Sequence, residues 1–187
     1  MTTTHRASQQ TNGVDVEKLL STIQSVKEQP ELADFEFRVR NRWLGGDHNR
    51  SVIHDFHGAG QEDTSRAPYE FDNGEPEVLC GTNAGANPVE FLLHALAGCM
   101  TTTMAFHCAA RGIEIESISS ELRGDIDVQG FLGLRDDVPK GYSQIRAVLK
   151  VKSDAPAEKL EELAKMSPVY NTLKGGTDLQ VRVEKVS

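Results

Sequence analysis

The sequence predicts an α+β domain on two observations. One is an apolar, alanine-rich stretch that no breaker interrupts over residues 89–110, and the other is a set of segments alternating apolar and polar residues at period two on both sides of it. At 187 residues the chain fits one domain, long enough to bury a core without disulfides or metals.

Residues 1–12 are polar and read as a disordered tail. Over residues 13–30 the spacing of Val16, Leu19, Leu20, Ile23 and Val26 predicts an amphipathic helix that Pro30 ends, an extension ahead of the domain proper at residues 31–187. Phe35, Phe37 and Val39 alternate with Glu36, Arg38 and Arg40, and Gly45-Gly46 turns the chain into residues 50–56, predicting a hairpin. Residues 58–67 read as a polar loop. Residues 69–71 and 77–79 are short extended candidates separated by the Asn73-Gly74 turn signal.

Pro88 suits a first helical turn, with Asn87 as its cap. A helix so apolar around its circumference must be buried on most faces, by sheet or by a partner subunit. Ile113 to Val128 and Ile145 to Val151 then read as two strands, and Pro156 opens a charged helix that runs to Leu163. Leu179, Val181, Val183 and Val186 alternate with polar residues and are expected to close a sheet.

Composition narrows the function. A net charge of −8, from 28 acidic against 20 basic residues, argues against nucleic acid and anionic membrane as partners. The apolar stretch is broken by His94, three threonines and His107, so a bilayer-crossing segment is not expected. Three cysteines without a Cys-x-x-Cys pair read as free thiols in a reducing, cytoplasmic setting. No cofactor or metal is expected: His54 and His57 are three apart in a strand or turn, and no His/Cys pair in the long helix has i, i+4 spacing.

By composition alone, Cys99 on an alanine-rich helix is a buried small hydrophobe. Its neighbours Ala97 and Gly98 would let another element approach the sulfur, and reactivity would need a cation or donors beside the thiolate. The stretch Asn87-Pro88-Val89-Glu90-Phe91-Leu92-Leu93-His94-Ala95-Leu96-Ala97-Gly98-Cys99 resembles the helix motif of the OsmC/Ohr superfamily, and the order of elements over residues 35–186 is similar to that family's.

The resemblance implies antiparallel sheets packed around a long central helix carrying Cys99, in an intertwined homodimer with its sites at the subunit interface. It implies reduction of organic hydroperoxides or hydrogen peroxide in oxidative-stress defence, with Cys99 as nucleophile and an external thiol as reductant. An arginine and a glutamate would poise the thiol. Arg50 is the first choice for the arginine because it follows the Gly45-Gly46 turn, with Arg42 and then Arg66 behind it, and each also reads as a solvated strand charge.

The chain departs from the family pattern at three places. Ser167, in Met166-Ser167-Pro168-Val169, holds the place of the resolving cysteine. Val89 follows the proline directly, so Glu90 stands about 100° further round the helix than the family's glutamate. The spacing to the arginine also differs. Cys108, nine residues past Cys99, is on the opposite face of the same helix and cannot bridge to it. Cys80 is freer and reads either as a resolving thiol or as a structural one.

Three functions follow as expectations. The first is a one-cysteine thiol peroxidase. The second keeps the fold and binds a small hydrophobic or electrophilic ligand at the dimer interface without efficient turnover. The third, a non-enzymatic structural protein, would need Cys99 fully buried with no cation in reach.

Overall fold

In the computed structural model, which describes residues 10–185, chain contacts divide the molecule into two units, residues 1–94 and 95–187. The expected disordered tail lies outside the described residues over 1–9. Its end is ordered: Gln10–Thr11 (β1) pairs antiparallel with Val14–Asp15 (β2) across Asn12 and Gly13, both in the left-handed region. Helix α1, Val16–Glu28, follows. The Asp15 carboxylate accepts from the Lys18 backbone N–H at 3.0 Å and caps it. None of its side chains is buried.

The expected hairpin forms, but both of its strands break. Glu36–Phe37 (β3) and Arg40–Gly45 (β4) belong to different sheets, as do His48–Ile53 (β5) and Phe56–Gly58 (β6). The break coincides with charge. Arg38 and Arg40 both pair with Asp55, whose carboxyl their guanidinium groups hold far below the ordinary carboxylate range. β4 and β5 join through Gly46 and Asp47, with a bulge beside Trp43.

The reading of residues 58–67 as loop is corrected: β6 pairs with Gln61–Asp63 (β7) through Ala59-Gly60, both at positive φ, the two-residue turn that matches strand twist. Tyr69–Asn73 (β8) completes the order β4-β5-β8, and β3-β6-β7 forms the second small sheet. Residues 77–79 are not extended. Pro76 starts a single tight helical turn there, which leaves Cys80 in the left-handed region at φ 63°.

The 74–87 segment is fastened at several points. Gly74 N–H donates to the Ala86 carbonyl at 3.3 Å, and the Asp47 carboxylate accepts from the backbone N–H groups of Glu75 (2.9 Å) and Thr82 (3.1 Å). Those donors lower the Asp47 carboxyl to about 2. Gly81 and Gly85 are required by close approach, since a Cβ on either would fall at 1.9 Å from the Glu75 carbonyl oxygen or 2.0 Å from that of Asp72.

Helix α2, Pro88–Ala109, begins in the first unit, where Phe91 meets Phe71 of β8 edge to face at 5.9 Å, and continues in the second. In the second unit Ser117–Ile126 (β9) and Tyr142–Lys152 (β10) form a long antiparallel pair, with the one-turn helix α3, Val128–Phe131, in their connection. Ala157–Ala164 (α4) and Pro168–Gly175 (α5) follow. The core joins Leu96, Met100, Met104 and Cys108 of α2 to Leu160, Leu163 and Ala164 of α4, with Ile118, Leu122, Ile145 and Leu149 of the two strands packed against them.

Within the chain, sheet does not wrap most faces of α2: its buried residues are the four-residue-spaced stripe 96, 100, 104 and 108, plus Ala109, while Leu92 and Phe106 are exposed. In spite of its polar interruptions α2 has the length and mean hydropathy of a bilayer-crossing helix, yet its buried stripe is engaged in the core of the second unit, as in the core helix of a globular domain. Residues 176–185 form no strand, and Leu179, Val181 and Val183 are each at least 80% exposed. A period-two segment orders as sheet only against a partner edge, and within the described residues it has none. Val186 lies outside the described residues.

Candidate functional site

Asn87 begins the site by capping α2. Its side-chain oxygen accepts from the Val89 N–H at 2.9 Å, while the Glu90 carboxylate accepts from the Asn87 N–H at 2.9 Å, a reciprocal capping box around Pro88. Asn87 Nδ2 also donates to Glu75, tying the cap to the fastened segment before it. Glu90 is thus occupied at the helix start, nine residues before Cys99 in sequence.

Cys99 lies in the second unit, on α2, and is half-buried. Cys108, on the same helix, is fully buried, and desolvation pushes its thiol above the ordinary range. Gly98 beside Cys99 has open space where a Cβ would stand, with no atom of the chain within 4 Å. Thr102, Thr103 and Phe106 share the Cys99 face at i+3, i+4 and i+7. Together with His107, Met166 and Pro168 they line an open groove of about 320 Å³.

Ser167 stands between the two groove residues of the α4–α5 turn and is itself 0% exposed. Its hydroxyl accepts from the Tyr170 N–H at 3.1 Å and caps α5, with Pro168 at the first helical position. In this chain the hydroxyl has a structural use at that position. The C-terminal unit therefore brings Thr102, Thr103 and Phe106, on the helix face of Cys99, together with the residues that flank Ser167.

The other residues singled out by sequence lie in the first unit. The Arg50 guanidinium binds Asp72 at 2.8 and 3.0 Å and reaches Glu70 at 3.5 Å, and His48 shares the same Asp72 oxygen. Arg50 and His48 together lower the Asp72 carboxyl to about 2. Arg66 donates to the His54 carbonyl and stacks over Phe56 at 5.1 Å. Arg42 is exposed, opposite Arg50 in the β4–β5 register. Cys80 is exposed in its left-handed turn.

Sequence reasoning missed the groove, and with it His107. Arg111 Nη1 donates to His107 Nδ1 at 3.1 Å and to the His107 carbonyl at 2.9 Å. The i, i+4 spacing of the two residues was the available signal. Partial burial, and then the Arg111 charge, keep His107 below the ordinary imidazole range. Among the described residues no group of three or more His, Cys, Asp or Glu side chains is arranged to hold a metal ion.

Antiparallel sheets with a long helix that carries a half-buried thiol define a thiol-bearing α+β protein. The model of the OsmC-like protein family matches residues 81–182, more than half of the chain, and the chain belongs to that family. Solved structures agree on the fold. The OsmC-like protein of Mycoplasma pneumoniae is 16% identical, with a TM-score of 0.57 over 75% of this chain and 89% of that one. The organic hydroperoxide resistance protein OsmC of Legionella pneumophila, also described as a predicted redox protein, is 17% identical, with a TM-score of 0.50 over 76% and 93%. A putative osmotic stress induced and detoxification response protein from Psychrobacter arcticus gives 14% and 0.54 over 72% and 85%. No curated protein matches the sequence.

Proposed function

We propose that the chain is a thiol peroxidase that reduces hydroperoxides through Cys99 and is regenerated by an external thiol. The observation that carries the reading is the contrast along α2: Cys108 is sealed in the core, whereas Cys99 is reachable on the face that runs into the groove. Membership of the OsmC-like family supports a redox or stress role, and the neighbour described as an organic hydroperoxide resistance protein points the same way.

In this reading the Cys99 thiolate attacks the terminal oxygen of ROOH. The O–O bond breaks, sulfur becomes a sulfenic acid, and the leaving alkoxide takes a proton to give ROH. An external thiol then attacks the sulfenic sulfur and releases water, and a second thiol displaces the resulting mixed disulfide to restore Cys99. Ser167 cannot form a disulfide, so turnover is one-cysteine with the external thiol, or two-cysteine with the exposed Cys80 as resolver, which Cys80→Ser distinguishes. The working form is a homodimer. All eight buried apolar side chains among the described residues lie in the second unit, leaving Phe35, Phe37, Trp43 and Tyr69 of the first unit exposed.

The test is consumption of cumene hydroperoxide and hydrogen peroxide with a dithiol, for the native chain, Cys99→Ser and Cys80→Ser. Turnover that vanishes with Cys99→Ser and persists with Cys80→Ser supports one-cysteine chemistry. Absence of native turnover sinks the peroxidase reading.

A further inference from the structure

Hydroxyls on a helix commonly turn back on its own carbonyls, and in α1 they do: Thr22 donates to the Lys18 carbonyl at 2.9 Å and Ser25 to that of Ser21 at 3.1 Å. Thr102 and Thr103 of α2 differ. Neither hydroxyl has a hydrogen-bond partner among the described residues, and both line the groove of the second unit. The same groove is lined by Met166, which is 48% exposed, whereas Met100 and Met104 are 7% and 2% exposed in the core stripe. Met166 is thus the one methionine among the described residues that is open to a dissolved oxidant. Its turn is held in place: Asn171 Nδ2 donates to the carbonyls on both sides of it, Lys165 at 2.9 Å and Ser167 at 2.8 Å.

A thioether is only a weak acceptor, so the two hydroxyls gain little from Met166 in its reduced form. A sulfoxide is polar and chiral, and its oxygen accepts strongly. We propose that Met166 is a peroxide-modification site, oxidised to a sulfoxide whose oxygen is held by the hydroxyls of Thr102 and Thr103. The sulfur lone pair attacks the distal oxygen of a hydroperoxide ROOH, and the S–O bond forms as O–O breaks. The proton on that oxygen passes to the leaving alkoxide to give ROH, and sulfur loses the two electrons that the peroxide gains. The product ties the α4–α5 turn to α2 through a polar group where an apolar one stood, and methionine sulfoxide reductases erase it. No cysteine takes part, so the inference goes beyond the Cys99 reading and stands without it.

The experiment treats the full-length folded protein with tert-butyl hydroperoxide, without reductant, and follows each methionine by peptide mass spectrometry. Met166 is expected to oxidise at least about tenfold faster than Met100 and Met104, as its exposure dictates. The discriminating readout is chirality, because a side chain that tumbles freely gives both sulfoxide epimers in similar amounts. The oxidised protein is unfolded, and the share of Met166 sulfoxide removed by each of the two epimer-specific reductases is measured. One epimer is expected in about fivefold excess, as one net hydrogen bond to the arriving oxygen allows.

Thr102→Val combined with Thr103→Val keeps the branched shape and loses both donors, and is expected to bring the epimers to near equality. Thr102→Ser combined with Thr103→Ser keeps the donors and is expected to keep the excess. Oxidation of Met166 no faster than that of Met100 and Met104, equal epimers in the native chain, or an excess undiminished in the valine variant overturns the inference. Selective oxidation is expected unchanged in Cys99→Ser, and its loss there would overturn the inference too. Selective Met166 oxidation in a native chain without peroxide turnover removes the peroxidase and leaves the Met166 site, whereas turnover with equal epimers removes the site and leaves the peroxidase.

Discussion

Cys99 and Cys108 share a helix, and half a turn of phase decides their chemistry. Cys108 falls on the buried stripe of α2, where desolvation pushes its thiol up, while Cys99 falls on the opposite face and is half-buried. Iodoacetamide on the folded protein is expected to label Cys80 and Cys99 and to reach Cys108 only after unfolding; labelling of Cys108 at the same rate as Cys99 would contradict its burial. Ser167 gives a second residue-scale expectation. Ser167→Ala removes the α5 cap and is expected to cost about 1 kcal/mol in urea unfolding. Cys99, Asn87 and Ser167 could be singled out in the sequence because the motif spacing and the Asn-Pro start carry them. The capping use of Ser167 could not, because α5 itself went unseen: Ser-Pro is a helix-start signal, but the short segment after it has little period of its own. Glu90 was read for catalysis, and the capping box it completes was equally written in Asn87 and Glu90 at i, i+3.

Elements fared unevenly for a physical reason. α1 and α4 carry an apolar stripe at helical period, α2 is a long apolar run without a breaker, and β9 and β10 are ten and eleven residues long, so local sequence locates them. The small strands of the first unit are two to six residues long and are cut where Arg38 and Arg40 converge on Asp55, a tertiary charge contact that no window of sequence contains. The same dependence on distant partners governs the 74–82 segment, which hangs on Asp47. Because the folded Asp47 carboxyl sits at about 2, below its ordinary value, its contribution is complete above about pH 4 and is lost as pH falls through about 2. Hydrogen exchange at Glu75 and Thr82 is expected to accelerate over that window and to be fast at neutral pH in Asp47→Ala; exchange insensitive to both would show that the carboxylate does not hold the segment. In the second unit, Leu163→Ala empties a site that is 0% exposed at the α2–α4 contact and is expected to cost about 2–5 kcal/mol.

At the scale of the whole molecule, burial is lopsided. The second unit holds every buried apolar side chain among the described residues, while the first presents Phe35, Phe37 and Phe56 stacked on one another, with Phe35 and Phe37 exposed. Two small sheets with no buried apolar side chain have little of their own to offset the conformational entropy of ordering them, which favours cover by the proposed homodimer. A second copy supplies that cover in the homodimer proposed above, and it also accounts for an α2 helix apolar around its circumference yet buried along one stripe. The expected result in sedimentation at micromolar concentration is a dimer. Phe37→Glu combined with Trp43→Glu, at two exposed aromatic positions, is expected to shift it toward monomer and to lower the midpoint of thermal unfolding in a concentration-dependent way. A native chain that sediments as a monomer and unfolds cooperatively, independent of concentration, would rule out the dimer and require that the aromatic faces be stable in water on their own.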